Sequence, residues 1–188
     1  KATAHAILSA NYIAHSLKHK FKILYKGKNN FVAHECILDF RDLKSKTGLS
    51  VNDLAKRLID YSFHAPTISW PVPETIMIEP TESESLAELD RFCEAMLLIG
   101  EEISEIENNH ELKNNNVISN APHTLKELIA DNWHYPYSKE KASFPYKTPT
   151  SIKFWSSVSR INNAYGDRNL ICSCNVNQDE TLEEKKCA

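Results

Sequence analysis

The chain has 188 residues, of which 41% are hydrophobic and 25% charged, and its formal net charge is −3. This length and composition predict one soluble globular domain that is large enough to bury a substantial core. The slight negative charge gives no reason to expect nucleic acid or an anionic membrane as a partner. No apolar run reaches the roughly 18–20 residues of a transmembrane helix, so we expect no membrane span.

The cysteines and the first residue give two further expectations. The five cysteines include no CxxC pair, and an odd number without that spacing is typical of reduced, intracellular thiols. The sequence starts at Lys1 without a visible signal peptide. We therefore expect a piece of a longer polypeptide, in which a functional site is shared with residues outside the piece.

The N-terminal third predicts a helix, a hairpin and a second helix. Apolar residues at helical spacing indicate a helix over residues 3–20. Two aromatic and β-branched runs, Phe21–Tyr25 and Phe31–Phe40, flank a Gly/Asn turn and predict a β-hairpin. Ser50 is the expected N-cap of a helix over residues 51–61.

Two histidine patterns in this region have spacings that occur in metal sites. His15 and His19 stand four residues apart, but we interpret them as exposed side chains near a helix C-terminus, where positive charge is favoured. His34-Glu35 begins like a zinc-protease motif, yet Leu38 occupies the position of the second histidine. We expect no metal at either place.

The middle of the chain predicts a strand and a long helix. Residues 75–78 form the strand, and the helix begins at Ser83 or Ser85 and runs to about Glu107. Gly100 lies on the apolar stripe of this helix, which predicts close packing, because an exposed glycine would cost about 1 kcal/mol. The helix also carries a face that we interpret as solvated, formed by Glu101, Glu102, Glu105 and Glu107.

The C-terminal third predicts little regular structure. Thr124 and Glu127 form the capping box of a short helix. Residues 133–149 are dense in aromatic residues and prolines and predict irregular chain over a surface, with one or two helical turns at Ser138–Phe144. Asn169–Ser173 is a candidate last strand. The order of elements predicts an α/β (α+β) fold, with helices on one face of a small sheet.

A polar cluster surrounds the prolines of residues 61–90. Proline restricts its own φ and that of its predecessor, so Ala65 and Glu79 are expected to be extended. Rigid polar turns at strand ends are common positions for functional sites. Because the chain contains no complete catalytic set, the residues alone favour turn capping or interface chemistry. The candidate site residues are His64, Thr67, Glu79, Thr81 and Glu82.

Several ordered blocks of the sequence resemble one known family. They are DYSFHAPTISWPVPETIMIEPTESESLAELDRF, AHECILDFR, NAPHT, WHYPYSKEKASFP and KFWSSVSRINNAYGDRNLICSC. From about Ala10 to Cys174 the chain resembles the C-terminal part of the glycine decarboxylase P-proteins. Ser62 and Glu74 stand where this family often has glycine, and Lys139 where it often has arginine.

The resemblance implies the C-terminal small domain of a fold-type-I, aminotransferase-like enzyme. Residues 1–174 would form this domain, with residues 1–20 as a helix that links it to a cofactor-binding domain outside the sequence. Residues 175–188 are a polar tail that we expect to be disordered.

The family's chemistry gives the expected cofactor and partners. The P-protein is the pyridoxal-phosphate-dependent glycine dehydrogenase (aminomethyl-transferring) of the glycine cleavage system, an oxidoreductase of glycine catabolism. It decarboxylates glycine and transfers the aminomethyl group to the lipoyl arm of H-protein. The resemblance implies that the Schiff-base lysine lies upstream of residue 1, so this piece would contain no catalytic residue and be inactive alone.

The remaining implied partners are the N-terminal remainder of the polypeptide and a second subunit. The expected location is the cytoplasm of a bacterium or the mitochondrial matrix of a eukaryote. Two alternatives stay open: a non-catalytic module that docks H-protein or completes a dimer, and a stand-alone regulatory domain.

The resemblance also gives the polar cluster a role. Residues 76–81 lie, by chain order, where related aminotransferases place an arginine that clamps the substrate carboxylate, and they contain none. A decarboxylase gains nothing from stabilising the ground-state carboxylate. We therefore expect the turn 79–82 to shape the active-site mouth, with His64 and Thr67 facing the same cleft; a buried structural role for His64 is the alternative.

Two cysteines near the C-terminus complete the candidate residues. Cys172 and Cys174 are interpreted as inert thiols on a strand, with a redox role as the alternative.

Overall fold

The computed structural model describes residues 1–146 and 153–171. The α-helices in these ranges are α1 (Ala2–Leu17), α2 (Leu43–Thr47), α3 (Val51–Asp60), α4 (Leu86–Asn108), α5 (Leu125–Ile129), α6 (Lys139–Ser143) and α7 (Asn163–Arg168). The strands are β1 (Lys22–Leu24), β2 (Cys36–Asp39), β3 (Thr67–Ile68) and β4 (Thr75–Ile78). Short 3-10 turns occupy Lys28–Asn30 and His110–Leu112.

The strands form one small antiparallel sheet in the order β1-β2-β4-β3. Leu38 of β2 pairs with Ile76 of β4 and with Ile23 of β1, and Cys36 pairs with Ile78. Because directly paired residues point to the same side of a sheet, these five apolar side chains share one face. The predicted hairpin is confirmed, although β2 begins at Cys36, after the irregular stretch from Phe31.

Helices cover the apolar face of the sheet and complete the core. α1 contributes Ile13 and Leu17, and α4 contributes Met96 and Ile99, all fully or nearly fully buried in the cluster that contains the strand residues. The fold is therefore α+β with helices on one face of a small sheet, as the sequence predicts. No helix within the described ranges has the length and apolarity needed to cross a bilayer.

The helix starts follow the capping signals in the sequence. Ser85 is the N-cap of α4, and its hydroxyl accepts the Glu88 backbone N–H at 3.2 Å. Thr124 and Glu127 form the predicted capping box of α5. α1 ends at Leu17, three residues earlier than predicted.

Two residues at positions where the P-protein family often has glycine adopt left-handed backbone conformations. Ser62 has a φ of 64° and Glu74 a φ of 56°. Side chains with a Cβ are disfavoured there. In this chain both positions keep the conformation without glycine, and the Glu74 carboxylate accepts the Val51 backbone N–H at 3.1 Å, at the start of α3.

The predictions for the C-terminal part concern a last strand, two cysteines and a polar tail. Residues 169–171 are not in a strand and instead follow α7, so this part of the predicted last strand is wrong. The residues just before them form the helix α7 instead, whose first turn is capped because the Asn162 side chain accepts the Tyr165 backbone N–H. Cys172, Cys174 and the tail 175–188 lie outside the described residues.

Candidate functional site

The structure brings three of the five predicted site residues into one cleft. His64, Thr67 and Glu79 line a cavity of about 390 Å³ where the segment before β3, the end of β4 and the start of α4 meet. Thr81 and Glu82 do not line it: they lie exposed on the turn that leads to α4, where the Thr81 and Ser83 hydroxyls are 2.9 Å apart. His64 is exposed, which excludes the buried structural role for this histidine.

Short-range geometry explains why these residues meet. Thr67 pairs with Met77 in the antiparallel β3–β4 ladder, so the chain entering β3 and the chain leaving β4 emerge at the same end of the sheet. Pro66 and Pro80 stand at these two points and restrict the backbone. The cleft is therefore built on a rigid strand end.

Arg91 of α4 fixes one wall of the cleft. Its guanidinium carbon lies 3.6 Å from the centre of the Phe63 ring, and Nη1 donates to the Tyr61 carbonyl at 3.2 Å. The same side chain donates to both carboxylate oxygens of Glu88, at 2.8 and 2.6 Å. The bonds from Arg91 hold the pKa of Glu88 below its usual value. Arg91 thus orders the segment before His64 and keeps Glu88 ionised.

The charge of the cleft does not fit pyridoxal phosphate held by these residues alone. Its lining carboxylates are Glu79, Glu84 and Glu88, and no lysine or arginine is among its lining residues. A pyridoxal phosphate site needs a lysine for the aldehyde and donors or cations for the phosphate. The cleft can instead present hydroxyl, imidazole and carboxylate groups at the edge of a site.

A buried charge network that the sequence did not predict lies further along α4, at Glu102. Arg57 of α3 is 0% exposed, and its guanidinium donates to Glu102 at 3.0 and 2.6 Å and to Asp60 at 2.9 Å. It also donates to the carbonyls of Lys141 and Ala142, both at 2.8 Å. These five bonds use all five N–H donors of the guanidinium, so the buried cation has no unpaired donor.

Glu102 corrects the prediction of a fully solvated acidic face. Its side chain is buried against Arg57, and the Tyr61 hydroxyl lies 3.3 Å from its carboxylate. Glu101, Glu105 and Glu107 are exposed as predicted. The sequence does carry a signal for this burial. Glu102 lies three residues after Ile99, on the stripe of α4 that faces the core.

The network continues through Asp60 into the aromatic segment. Asp60 accepts the backbone N–H of His123 at 2.8 Å, and His123 Nδ1 lies 2.9 Å from the same carboxylate. His123 Nε2 lies 2.8 Å from the Tyr137 hydroxyl. Burial raises the pKa of Tyr137, so the phenol stays protonated. Both ring nitrogens are occupied, and the chain of bonds positions residues 120–146 on α3 and α4.

Lys153 binds the backbone of Asp60, a residue of the same network. Its ammonium donates to the Asp60 carbonyl and lies 5.2 Å from the centre of the Trp155 ring. Burial lowers the pKa of Lys153 to about 8, against the opposing effect of Asp60. The amine is occupied by this contact, and it lies outside the cleft that holds His64.

The other candidate residues do not form a second site. Burial raises the pKa of Cys36 to about 12 and of Cys93 to about 11, so neither is a reactive thiolate. His15 and His19 line a separate cavity of about 570 Å³ beside Lys18. Across residues 1–146 and 153–171, no three His, Cys, Asp or Glu side chains are arranged to hold a metal ion.

Comparison with known proteins gives the family. A family model described as "Glycine dehydrogenase, C-terminal domain" matches residues 2–123. The chain belongs to the glycine dehydrogenase family. The resemblance read from the sequence blocks is thereby confirmed.

Individual relatives of the glycine dehydrogenase family match beyond residue 123. Glycine dehydrogenase (decarboxylating) of Prochlorococcus marinus (strain NATL1A) is 59% identical over 179 residues, which is 95% of this chain and 18% of the relative. The mitochondrial enzyme of Dictyostelium discoideum is 57% identical over 174 residues, or 93% of this chain and 18% of the relative. The enzyme of Vibrio parahaemolyticus is 56% identical over 173 residues, or 92% and 18%. The chain thus spans less than a fifth of the length of these relatives.

Proposed function

We propose that the chain is the C-terminal part of a pyridoxal-phosphate-dependent glycine decarboxylase of the glycine cleavage system. The observation that carries this proposal is the match to glycine dehydrogenase (decarboxylating) over 95% of the chain. In the complete protein the enzyme decarboxylates glycine and passes the aminomethyl group to the lipoyl arm of H-protein. The compartment is the cytoplasm or the mitochondrial matrix, since the relatives include bacterial proteins and one named as mitochondrial.

Within that enzyme, the cleft lined by His64, Thr67 and Glu79 forms part of the active-site mouth. The cofactor lysine and phosphate-binding groups lie in the remainder of the polypeptide, because the cleft presents carboxylates and no lysine. Thr81 and Glu82 form the exposed outer turn of the mouth. Carboxylates at this position leave the glycine carboxylate without a salt bridge, and such a bridge would stabilise the ground state without accelerating decarboxylation.

The test uses the full-length protein with pyridoxal phosphate and lipoylated H-protein. Release of labelled carbon dioxide from carboxyl-labelled glycine measures the reaction. We expect Glu79→Gln to lower kcat/KM by about tenfold, a change of about 1.4 kcal/mol in transition-state stabilisation. Glu101→Gln, which removes an exposed carboxylate of α4 outside the cleft, is the matched control and is expected to retain full activity.

Two results would contradict the proposal. A full-length protein that binds glycine but releases no carbon dioxide would refute the reaction. Equal kcat/KM for Glu79→Gln and Glu101→Gln would refute the role of the cleft while leaving the reaction intact.

A further inference from the structure

Residues 153–171, which we name the C-terminal strap, are attached to the domain at one end only. Arg160 pairs with Asp53 and donates to the Ala121 carbonyl at 3.2 Å. The Phe154 backbone N–H donates to the Ser62 hydroxyl at 3.0 Å, and the Trp155 ring packs edge-on against Phe144 at 5.7 Å. The first eight residues of the strap are thus held in a fixed place and direction.

The second part of the strap is exposed, and its first four residues line a cavity of about 540 Å³ with Asn52 of α3. Every residue from 161 to 171 is exposed, and α7 buries none of its residues. The exposed side chains include Tyr165 at 65%, Leu170 at 87% and Ile171 at 94%. A single exposed apolar residue is ordinary, but a run of them on one segment marks an interaction surface.

The helix in this run needs a partner to be stable. α7 has six residues, whereas isolated helices shorter than about 12–15 residues are marginal in water. The helix has a side-chain N-cap, because the Asn162 side chain accepts the Tyr165 backbone N–H at 3.0 Å. The apolar contact that normally supplies most helix stability is missing from the described part of this chain.

A second exposed apolar element lies beside the strap. Thr124 and Ser156 form a parallel bridge, which places the start of α5 next to the strap. α5 buries none of its residues, and Leu125 and Ile129 are exposed. The strap therefore passes beside the start of α5, and both elements carry exposed apolar side chains.

We propose that residues 161–171 and the exposed face of α5 dock against the part of the same polypeptide that precedes this domain. This inference rests on the proposed function. The relatives are more than five times as long as the matched segment, and the match over 95% of the chain includes the strap. Because residues 161–171 carry one acid and one base, Asp167 and Arg168, the fitting partner surface is apolar and neutral, unlike a nucleic acid or a charged membrane.

The direct test is hydrogen–deuterium exchange of the full-length protein, with the same protein unfolded in denaturant as the reference. We expect the amides of residues 163–171 to exchange at least about a hundredfold more slowly in the folded protein than in the reference. Exchange at the reference rate would overturn the proposal, since an undocked six-residue helix gives no such protection.

A pair of variants identifies the contact. Tyr165→Asp places a charge on the apolar face of α7 and is expected to raise exchange of residues 163–171 by at least about tenfold. Asn163→Asp adds the same charge at the first residue of the same helix, where a negative charge is favourable, and is expected not to raise exchange. Equal effects of the two variants would contradict docking through the apolar side chains.

Two further measurements separate the outcomes. Sedimentation of Tyr165→Asp is expected to give the mass of the unaltered protein; dissociation into smaller particles would assign the surface to a second copy and overturn the proposal. Carbon dioxide release from glycine is measured on the same samples. An active protein with an unprotected strap would refute this inference alone, and an inactive protein with a protected strap would refute only the proposed function.

Discussion

Arg57 shows at the residue scale how a full charge is kept away from water. Burial alone would lower the pKa of its guanidinium, but Glu102 and Asp60 raise it above its ordinary value, so the cation is retained. The two carboxylates and two backbone carbonyls around it come from three places in the chain. A buried ion pair of this kind is weak evidence for net stability, but removing one partner leaves the others unpaired.

Replacing Arg57 tests that reasoning. Arg57→Gln is expected to lower the free energy of unfolding by about 3–5 kcal/mol, because Glu102 and Asp60 would remain buried without a counter-charge. Urea denaturation followed by circular dichroism measures the change. Arg41→Gln removes a half-exposed arginine from Asp39, which keeps Lys22 as a second cation, and is expected to change the midpoint far less. Similar losses for the two variants would show that the buried network contributes no more than the half-exposed pair.

The sequence predicted one half of the candidate site and missed the other for a physical reason. His64, Thr67 and Glu79 are close in sequence to prolines and to one strand end, so local rules place them together. Arg57 bonds to residues 45 and 85 positions further along, and no periodicity reports such a pairing. The available signal was a charged residue between Leu54 and Leu58, on the buried stripe of α3.

Elements were predicted best where local signals set them. α4 begins after the predicted N-cap Ser85 and ends at Asn108, one residue beyond the predicted Glu107, because its apolar stripe is long and regular. β3 has two residues and was not predicted, since its existence depends on pairing with β4. Thr81 and Glu82 missed the cleft for a related reason: the turn after Pro80 carries them outward before α4 begins.

Gly100 illustrates how one element constrains its neighbour. A Cβ at this position would lie 2.6 Å from Lys20 Cε and 2.9 Å from Phe21 Cζ. We expect Gly100→Ala to destabilise the protein by about 1–3 kcal/mol, because the segment between α1 and β1 would have to move away from α4. The midpoint of urea unfolding reports the change.

Gly166 provides the matched control in another helix. Nothing lies within 4 Å of a Cβ built there. Gly166→Ala is therefore expected to leave the midpoint unchanged or slightly raised, since alanine is the better helix former. A loss in both variants would mean that glycine is required for a reason other than close packing.

At the scale of the whole molecule, the physical domain is larger than the family model that matches it. The match covers residues 2–123, but Arg57 takes two of its acceptors from Lys141 and Ala142, and His123 takes a partner from Tyr137. The irregular aromatic segment was predicted to lie over a surface. The structure shows in addition that it supplies backbone acceptors to the core.

Truncated chains test whether the stable domain ends at residue 123, as the family match does, or extends beyond residue 142. A chain that ends at residue 123 is expected to be less stable than one that ends at residue 171 by at least about 3 kcal/mol, because two charge-assisted hydrogen bonds to Arg57 are lost. A chain that ends at residue 160 keeps these bonds and is expected to match the longer one, since every residue from 161 to 171 is exposed. Thermal and urea unfolding of the three chains measure the difference; equal stability of the shortest chain would contradict the role of residues 141 and 142.

The acceptors of Arg57 also set an order of events during synthesis. Helix α3 leaves the ribosome long before Lys141 and Ala142 have been translated, so the nascent domain holds a cation whose final partners do not yet exist. Until they emerge, two of the five N–H donors of the guanidinium have only water to bind. Completion of this domain is therefore a late step.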